Sequence, residues 1–195
     1  MLDLSTKVYA NNHQKALQYA LAAFDLSRKS KDEVSEAISL TTIADIYFRQ
    51  GFYKKAHPYY KLAIELYNKQ NNRLMLNNTY QSVGDIYYKL SENDSALHYF
   101  NISLRGFQEI GSRLGIGSSL LKIGNVYWVT NNYDKALEYY INTLNIYEDL
   151  EYSNGLAKIY INIGLVHYVT KYYDKAIEYF RKSEKILEKT MIRKF

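Results

Sequence analysis

The 195-residue chain contains no cysteine and only one proline. Without thiol groups it can form no disulfide, no thiolate metal site and no cysteine nucleophile. Its first residues lack a basic segment followed by an apolar run, so we expect no signal peptide. No apolar stretch approaches the roughly 18 residues that a membrane-spanning helix needs. These absences predict a cytoplasmic protein that makes no contact with a membrane.

Positive charge is concentrated at the C-terminal end of the chain, whose formal net charge is +5. Only Glu184 and Glu188 oppose the basic residues of this stretch, which are Arg181, Lys182, Lys185, Lys189, Arg193 and Lys194. The rest of the chain is close to neutral, so we expect no nucleic-acid partner. A solvated helix end is the simpler interpretation, and a junction with a following acidic segment is the alternative.

One four-residue segment recurs four times with a constant 40-residue spacing, without insertion or deletion. Its copies are Ala44-Asp45-Ile46-Tyr47, Gly84-Asp85-Ile86-Tyr87, Gly124-Asn125-Val126-Tyr127 and Gly164-Leu165-Val166-His167. A second column at the same spacing has five members, Ala16, Ala56, Ala96, Ala136 and Ala176. A fixed period of about 20 to 50 residues is typical of solenoid proteins. Because the second column has one more member, we expect a first repeat that is clipped at its start.

Each repeat is predicted to be a hairpin of two helices. The fourth repeat has an apolar stripe at i, i+3, i+4 and i+7, formed by Leu120, Ile123, Gly124 and Tyr127. After a polar break at residues 130–132, where asparagine suits helix capping, a second stripe follows with Tyr133, Ala136, Tyr140 and Leu144. The small residues let the two helix backbones approach closely, and the large rings fill the space on either side. The sequence therefore predicts an all-α fold of about five hairpins.

Several conspicuous residues are interpreted as parts of this packing. Most of the 22 tyrosines fall in repeated columns, and His167 replaces tyrosine in one of them, which predicts a core position. Residues 111–113 and 153–155 are rich in Gly, Asn and Ser and are predicted to be turns. Pro58 lies beyond the first turn of its helix, where proline is poorly tolerated, and predicts a kink or a later helix start.

No pattern of an enzyme is present. Gly111, Gly115 and Gly117 are not followed by the Lys-Ser/Thr of a phosphate-binding loop. His13, His57 and His98 do not share the spacing of metal ligands. We therefore expect no catalytic residues, no metal and no cofactor.

The pattern Gly124, Tyr127, Ala136, Tyr140, with Thr143 as a later small position, resembles the tetratricopeptide repeat. The resemblance covers essentially the whole chain, as one array with a clipped repeat at 1–34 and repeats at 35–74, 75–114, 115–154 and 155–195. It implies a right-handed α-solenoid. The repeat of this chain is longer than the usual unit of about 34 residues, so we expect the extra residues in the second helix and the following turn. Arrays with this 40-residue period are similar to those of bacterial signalling and scaffold proteins, which implies a module of a larger intracellular signalling protein.

In the proteins that the chain resembles, the first helices of the hairpins line a groove that binds a protein or peptide. Carried over column by column, this implies the groove residues Asp45, Phe48, Arg49, Asn78, Gln81, Asp85, Tyr88, Lys89, Leu121, Asn125, Trp128, Lys158, Ile161, Leu165 and Tyr168. Every repeat contributes an aromatic ring to this set, and exposed rings favour binding. The alternative is that these rings pack on the neighbouring first helix.

The character of the expected groove changes along the chain. The second and third repeats carry i, i+4 pairs of opposite charge, Asp45 with Arg49 and Asp85 with Lys89. The fourth and fifth repeats are apolar in the same columns. We therefore expect a ligand to place its polar part on the former and its apolar part on the latter. The alternative function is homo-oligomerisation through the terminal helices, because no further helix is expected to cover the ends of the array.

Overall fold

The computed structural model describes the backbone of residues 4–192 and the side chains of residues 12–189. This part of the chain is all-helical, which confirms the predicted fold class. Its helices are α1 (Leu4–Ser30), α2 (Glu33–Arg49), α3 (Tyr53–Lys69), α4 (Arg73–Lys89), α5 (Asn93–Glu109), α6 (Arg113–Val129), α7 (Tyr133–Asp149), α8 (Ser153–Val169) and α9 (Tyr173–Ile192). The chain forms two compact units. The first ends at Ala96 and the second begins at Leu97, both within α5.

The 40-residue period divides evenly between the two halves of a hairpin. Each helix from α2 to α8 has the same 17-residue length, and consecutive helices in this part of the chain are joined by three residues. The two helices of a hairpin therefore have the same length. The expectation that the extra residues of this long repeat lie in the second helix and its following turn is not what the structure shows.

The connections between consecutive helices share one backbone conformation. At the first of the three-residue connections, the N–H of Gly51 donates to the carbonyl of Phe48, and the N–H of Phe52 donates to that of Tyr47. This pair of bonds is a Schellman motif, which satisfies carbonyls left open at a helix end. The motif needs a positive φ angle, found at Lys31, Gly51, Asn71, Ser91, Gly111, Asn131, Glu151 and Lys171. The turns thus recur at half of the repeat period.

The side chain after the positive-φ residue often caps the next helix. Asn132 accepts a hydrogen bond from the N–H of Lys135, as the sequence predicts for this polar break. Ser112 accepts one from Gly115 in the same way. The prediction of a turn at 153–155 is wrong, because α8 begins at Ser153 and the turn is formed by residues 150–152. Gly155 lies inside the helix, where a Cβ would stand 2.6 Å from a Tyr147 ring atom.

Two further predictions concern helix starts. The later start predicted for the helix of Pro58 is wrong, because α3 begins at Tyr53, in register with the other second helices, and continues through the proline. The predicted kink stays a prediction. At the other site, α1 runs without a break from Leu4, although the repeat frame would place a turn at residues 10–12.

Small residues allow close helix contacts in each unit, as predicted. In the second unit, a Cβ added to Gly124 would lie 2.7 Å from a ring atom of Tyr140, and one added to Gly164 would lie 2.6 Å from Phe180. In the first unit, Ala44 and Ala56 are completely buried. Rings therefore fill the space that the missing side chains leave, and the apolar core runs along each hairpin.

A stacked ring pair joins the two helices of each of three hairpins. Tyr47 stacks on Tyr59 with ring centroids 5.7 Å apart, and Tyr127 stacks on Tyr139 at 5.4 Å. In the last hairpin His167 takes the tyrosine's place and stacks on Tyr179 at 5.5 Å. His167 is 8% exposed, which confirms its predicted core position. Burial lowers the pKa of its imidazole, with a further lowering by Lys175 that Glu178 opposes.

The positive-φ positions give a matched test of turn strain. A Cβ at Gly51 would meet no atom within 4 Å, so Gly51→Ala should destabilise the chain through its backbone alone, by about 1 kcal/mol. Glu151→Gly should raise the free energy of unfolding by about 0.5 kcal/mol, because relief of strain exceeds the entropic cost of glycine. Urea denaturation of both variants measures these changes. Stabilisation by Gly51→Ala would contradict the assigned turn conformation.

The buried histidine predicts a pH dependence. Because the pKa of His167 is lower in the folded chain than its ordinary value of 6.5, the unfolded chain binds the proton more readily, and stability should fall as the pH drops below about 6.5. His167→Tyr, the residue of the equivalent positions, should remove this contribution. Urea midpoints of both proteins at pH 7.5 and 5.5 measure it. An equal loss in the two proteins would assign the pH dependence to other groups.

Candidate functional site

A cleft of about 230 Å³ lies between α2, α3 and α4 in the first unit. Its lining includes four of the predicted groove residues, Asp45, Phe48, Arg49 and Asp85. The other two lining residues are Tyr60 and Ser82. Asp45 and Arg49 are exposed, whereas Phe48 and Asp85 are half-buried. The cleft therefore combines two carboxylates, one guanidinium and two rings, a lining suited to a polar or charged side chain.

Asp45 has a structural partner in this cleft. The hydroxyl of Tyr60 donates a hydrogen bond to the Asp45 carboxylate and is also hydrogen-bonded to Ser82. Burial raises the pKa of Tyr60, and the bond to Asp45 raises it further, so the phenol stays protonated. The ion pair expected between Asp45 and Arg49 is not formed among the described residues. Asp45 thus anchors α2 to α3 as well as lining the cleft.

The second unit has a neutral counterpart of this arrangement. The Tyr140 hydroxyl donates to Asn125 at 2.9 Å, and the side-chain amide of Asn162 on α8 donates to the same Asn125 oxygen at 3.4 Å. The position equivalent to Asp85 is Leu165, and its hairpin carries Phe180 in the column of Tyr60. An acceptor on the first helix thus accompanies a hydroxyl on the second in the hairpins of Tyr60 and Tyr140.

Three rings of the predicted aromatic ladder lie beside another ring of their own hairpin. Phe48 lies 5.3 Å from Tyr53, Trp128 lies 5.4 Å from Tyr133, and Tyr168 lies 5.8 Å from Tyr173, all between ring centroids. The ring partner in each case is the first residue of the following second helix. Trp128 also packs against a core cluster that contains residues of both α7 and the neighbouring first helix α8. Packing does not cover these rings equally, since Tyr168 remains 58% exposed.

The other predicted groove residues differ in accessibility. Those with exposed side chains are Asn78, Lys89, Lys158, Ile161 and Leu165. Those that are half-buried are Tyr88, Leu121 and Asn125. Gln81 is 8% exposed and therefore offers little surface to a ligand. Lys89 lies over the ring of Tyr88, with its Nζ 6.0 Å from the centroid.

Sequence reasoning missed Tyr60 and Ser82 as cleft residues, because it assigned Tyr60 to a packing column. The sequence carries no consistent signal for this hydrogen bond. The column of Tyr60 loses its hydroxyl at Phe180, opposite Leu165, but also at Phe100, opposite the carboxylate of Asp85.

The described residues contain no cluster of three or more side chains able to hold a metal ion. None of the described helices is both long and apolar enough to cross a membrane.

Comparisons with known proteins agree on the fold. The tetratricopeptide repeat sequence model matches residues 6–69, 74–149 and 115–189. Among solved structures, BtubC from P. vanneervenii is 16% identical with a TM-score of 0.79, covering 91% of this chain and 74% of BtubC. RapI in its apo form is 22% identical with a TM-score of 0.81, covering 94% of this chain and 51% of RapI.

A third similar structure is a Rap protein complexed with Competence and Sporulation Factor, 17% identical with a TM-score of 0.71. The match covers 91% of this chain and 59% of that protein. The chain therefore spans only about half of the length of the two Rap proteins. No curated protein matches the chain in sequence.

Hairpins of two 17-residue helices, repeated with a 40-residue period, define an α-helical repeat protein. The family match extends over most of the chain. The chain belongs to the tetratricopeptide repeat family.

The hydrogen bond between Tyr60 and Asp45 can be tested by a double-mutant cycle. Asp45→Leu should destabilise the chain by about 1 kcal/mol, because the Tyr60 hydroxyl loses its carboxylate acceptor and keeps only Ser82 as a partner. Adding Tyr60→Phe should recover most of this loss, since the pair then matches Leu165 and Phe180. Asp45→Asn, which copies Asn125, is the control and should be close to neutral. Urea denaturation measures all three, and a double variant no more stable than Asp45→Leu would rule out the proposed pairing.

Proposed function

We propose that this chain is a non-catalytic array that binds a segment of another protein through the exposed face of its first helices. The observation that carries the proposal is an apolar face on α8. Ile161, Leu165 and Tyr168 are spaced i, i+4 and i+7 and are 39%, 38% and 58% exposed. Three such side chains in one row form a contiguous surface that suits an apolar peptide segment.

The cleft of the first unit supports a different part of the recognition. Asp45, Asp85 and Arg49 offer charged groups of both signs beside the Phe48 ring. We propose that this cleft takes polar or charged side chains and that the α8 face takes apolar ones. Affinity then comes mainly from the α8 face, because exposed charge pairs contribute little net energy.

The similar structures are consistent with peptide binding. One Rap protein is complexed with Competence and Sporulation Factor, and the Rap conjugation gene regulator of plasmid pLS20 is in complex with the Phr* peptide. We propose that this chain uses the same type of surface for its own partner. We also propose that it acts in the cytoplasm as one array with repeats at 35–74, 75–114, 115–154 and 155–195, within a larger signalling protein.

Homo-oligomerisation is the second candidate function, favoured by the apolar side chains on α9. Ile177 and Leu187 are 49% and 48% exposed on this helix. If they join two copies, light scattering will show a dimer that Ile177→Lys converts to a monomer. A monomer at all protein concentrations would remove this candidate.

Peptide display on the immobilised chain tests the principal proposal. Selected peptides should contain a row of apolar residues, and their affinity should fall about tenfold for Tyr168→Ala, as expected when a central ring of an interface is removed. Asp45→Asn should have a smaller effect, because it keeps the bond to Tyr60. Fluorescence anisotropy with a labelled peptide provides the measurement.

The matched control for this experiment is Tyr172→Ala. Tyr172 is 61% exposed and packs edge-on against His167, apart from the row on α8. Loss of affinity in this variant equal to that in Tyr168→Ala would place binding elsewhere. Failure to select any peptide would contradict the proposed function.

A further inference from the structure

The cleft between α2, α3 and α4 differs from its equivalent in the second unit at one hydrogen-bond donor. In the second unit the side-chain amide of Asn162 donates to Asn125 at 3.4 Å, in addition to the Tyr140 hydroxyl at 2.9 Å. The residues in the columns of Asn162 and Asn125 are Ser82 and Asp45 in the first unit. The acceptor of the first unit therefore faces a shorter side chain that has no amide group.

Ser82 does not replace the missing amide. Its hydroxyl is hydrogen-bonded to Tyr60 instead. Asp45 accepts the hydrogen bond of Tyr60 through one of its two oxygens, Oδ1. Among the described residues, no N–H group donates to the Asp45 carboxylate. The place that the Asn162 amide fills in the second unit is therefore open to a donor from a ligand.

The charges of the cleft favour a cation as this ligand. The carboxylates of Asp45 and Asp85 stand against one guanidinium, that of Arg49. Burial raises the pKa of the Tyr60 hydroxyl, and the charges of Asp45 and Asp85 raise it further. Because such effects fall off with distance, both carboxylates lie near the same hydroxyl. Arg49 is exposed and forms no ion pair with Asp45 in the described part of the chain, so it does not neutralise this carboxylate.

The ring of Phe48 offers a second feature that suits a cation. On α4, Lys89 and Tyr88 stand in the columns of Arg49 and Phe48. Lys89 places its Nζ 6.0 Å from the centroid of the Tyr88 ring, a distance at which cation–π attraction acts. No cation lies over the Phe48 ring within the residues that the structure describes. A cation from a ligand can therefore take that place.

We propose that this cleft binds an arginine side chain of the partner segment, an assignment that rests on the proposed function. The guanidinium donates N–H groups to Asp45 and Asp85 and packs against the ring of Phe48. A planar guanidinium combines several donors with a flat face that stacks on rings, which an ammonium group does not. The cleft has a volume of about 230 Å³. This is less than the roughly 300 Å³ of the smallest typical small-molecule sites, so it suits a single side chain.

A small probe tests the cleft without involving the apolar face of α8. Nα-acetyl-arginine amide is titrated into the isotope-labelled full chain, and NMR should show saturable shifts of backbone amides in α2 and α4. A Kd on the order of 1 mM is expected for a ligand of this size. The citrulline equivalent keeps the shape of the side chain without its charge, and this matched control should bind at least about fivefold more weakly. The lysine equivalent should also bind more weakly than arginine, because it lacks the planar donor group.

Protein variants locate the site and test the sign of its charge. Asp85→Asn should weaken binding of the arginine amide about fivefold, because one carboxylate is lost while the bond between Tyr60 and Asp45 remains. Arg49→Gln should strengthen binding about threefold, because a repelling charge is removed. Asp134→Asn removes an exposed carboxylate of α7 in the second unit and is the matched control that should leave the affinity unchanged. Circular dichroism and the urea midpoint should show that all three variants fold.

Several results would contradict the assignment. Equal binding of the citrulline and arginine amides would show that charge plays no part, and tighter binding of the lysine amide would exclude a guanidinium site. Weaker binding to Arg49→Gln, or stronger binding to Asp85→Asn, would show that the cleft favours an anion. If selected peptides bind the α8 face while the arginine amide does not bind, the arginine site is overturned and the proposed function stands.

Discussion

The approach of a small residue on one helix to a ring on the next holds each hairpin together. At Gly124 the Tyr140 ring occupies the space that a Cβ would need, and the same holds for Gly164 and Phe180. This contact brings the two backbones close, so that the remaining rings stack at 5.4–5.7 Å in three hairpins. Close packing over the length of each helix then supplies most of the hydrophobic stabilisation.

Regular turns make the close contact repeatable. The same Schellman conformation closes each described connection, and only Gly51 and Gly111 have the residue that adopts it without strain. The other turns accept the cost of a side chain at positive φ because the packed hairpins on either side hold it in place. Residues such as Lys171 are therefore poor predictors of a turn when each is considered alone.

Polar groups beside the packed column serve both the fold and the surface. Asp45 and Asn125 each accept a hydrogen bond from a buried tyrosine of the next helix. The same side chains lie where a ligand can reach them. Two constraints therefore act on the residue in the column of Asp45 and Asn125. It can accept a hydrogen bond from a tyrosine of the next helix, and it contributes to the chemistry of the exposed face. Leu165, opposite Phe180, has no such hydroxyl to accept from and exposes an apolar side chain, whereas Asp85 keeps a carboxylate opposite Phe100.

The sequence by itself determined the period, the hairpins, the small and aromatic columns and the core position of His167, because helical packing repeats locally along the chain. Only the tertiary structure decided that Tyr60 bonds Asp45, that α8 begins at Ser153, and that Tyr19 is exposed. These depend on which helices lie side by side, and the exposure of a ring is set by its neighbours in space. The same column of tyrosines is therefore half-buried at Tyr59, Tyr99, Tyr139 and Tyr179 and exposed at Tyr19.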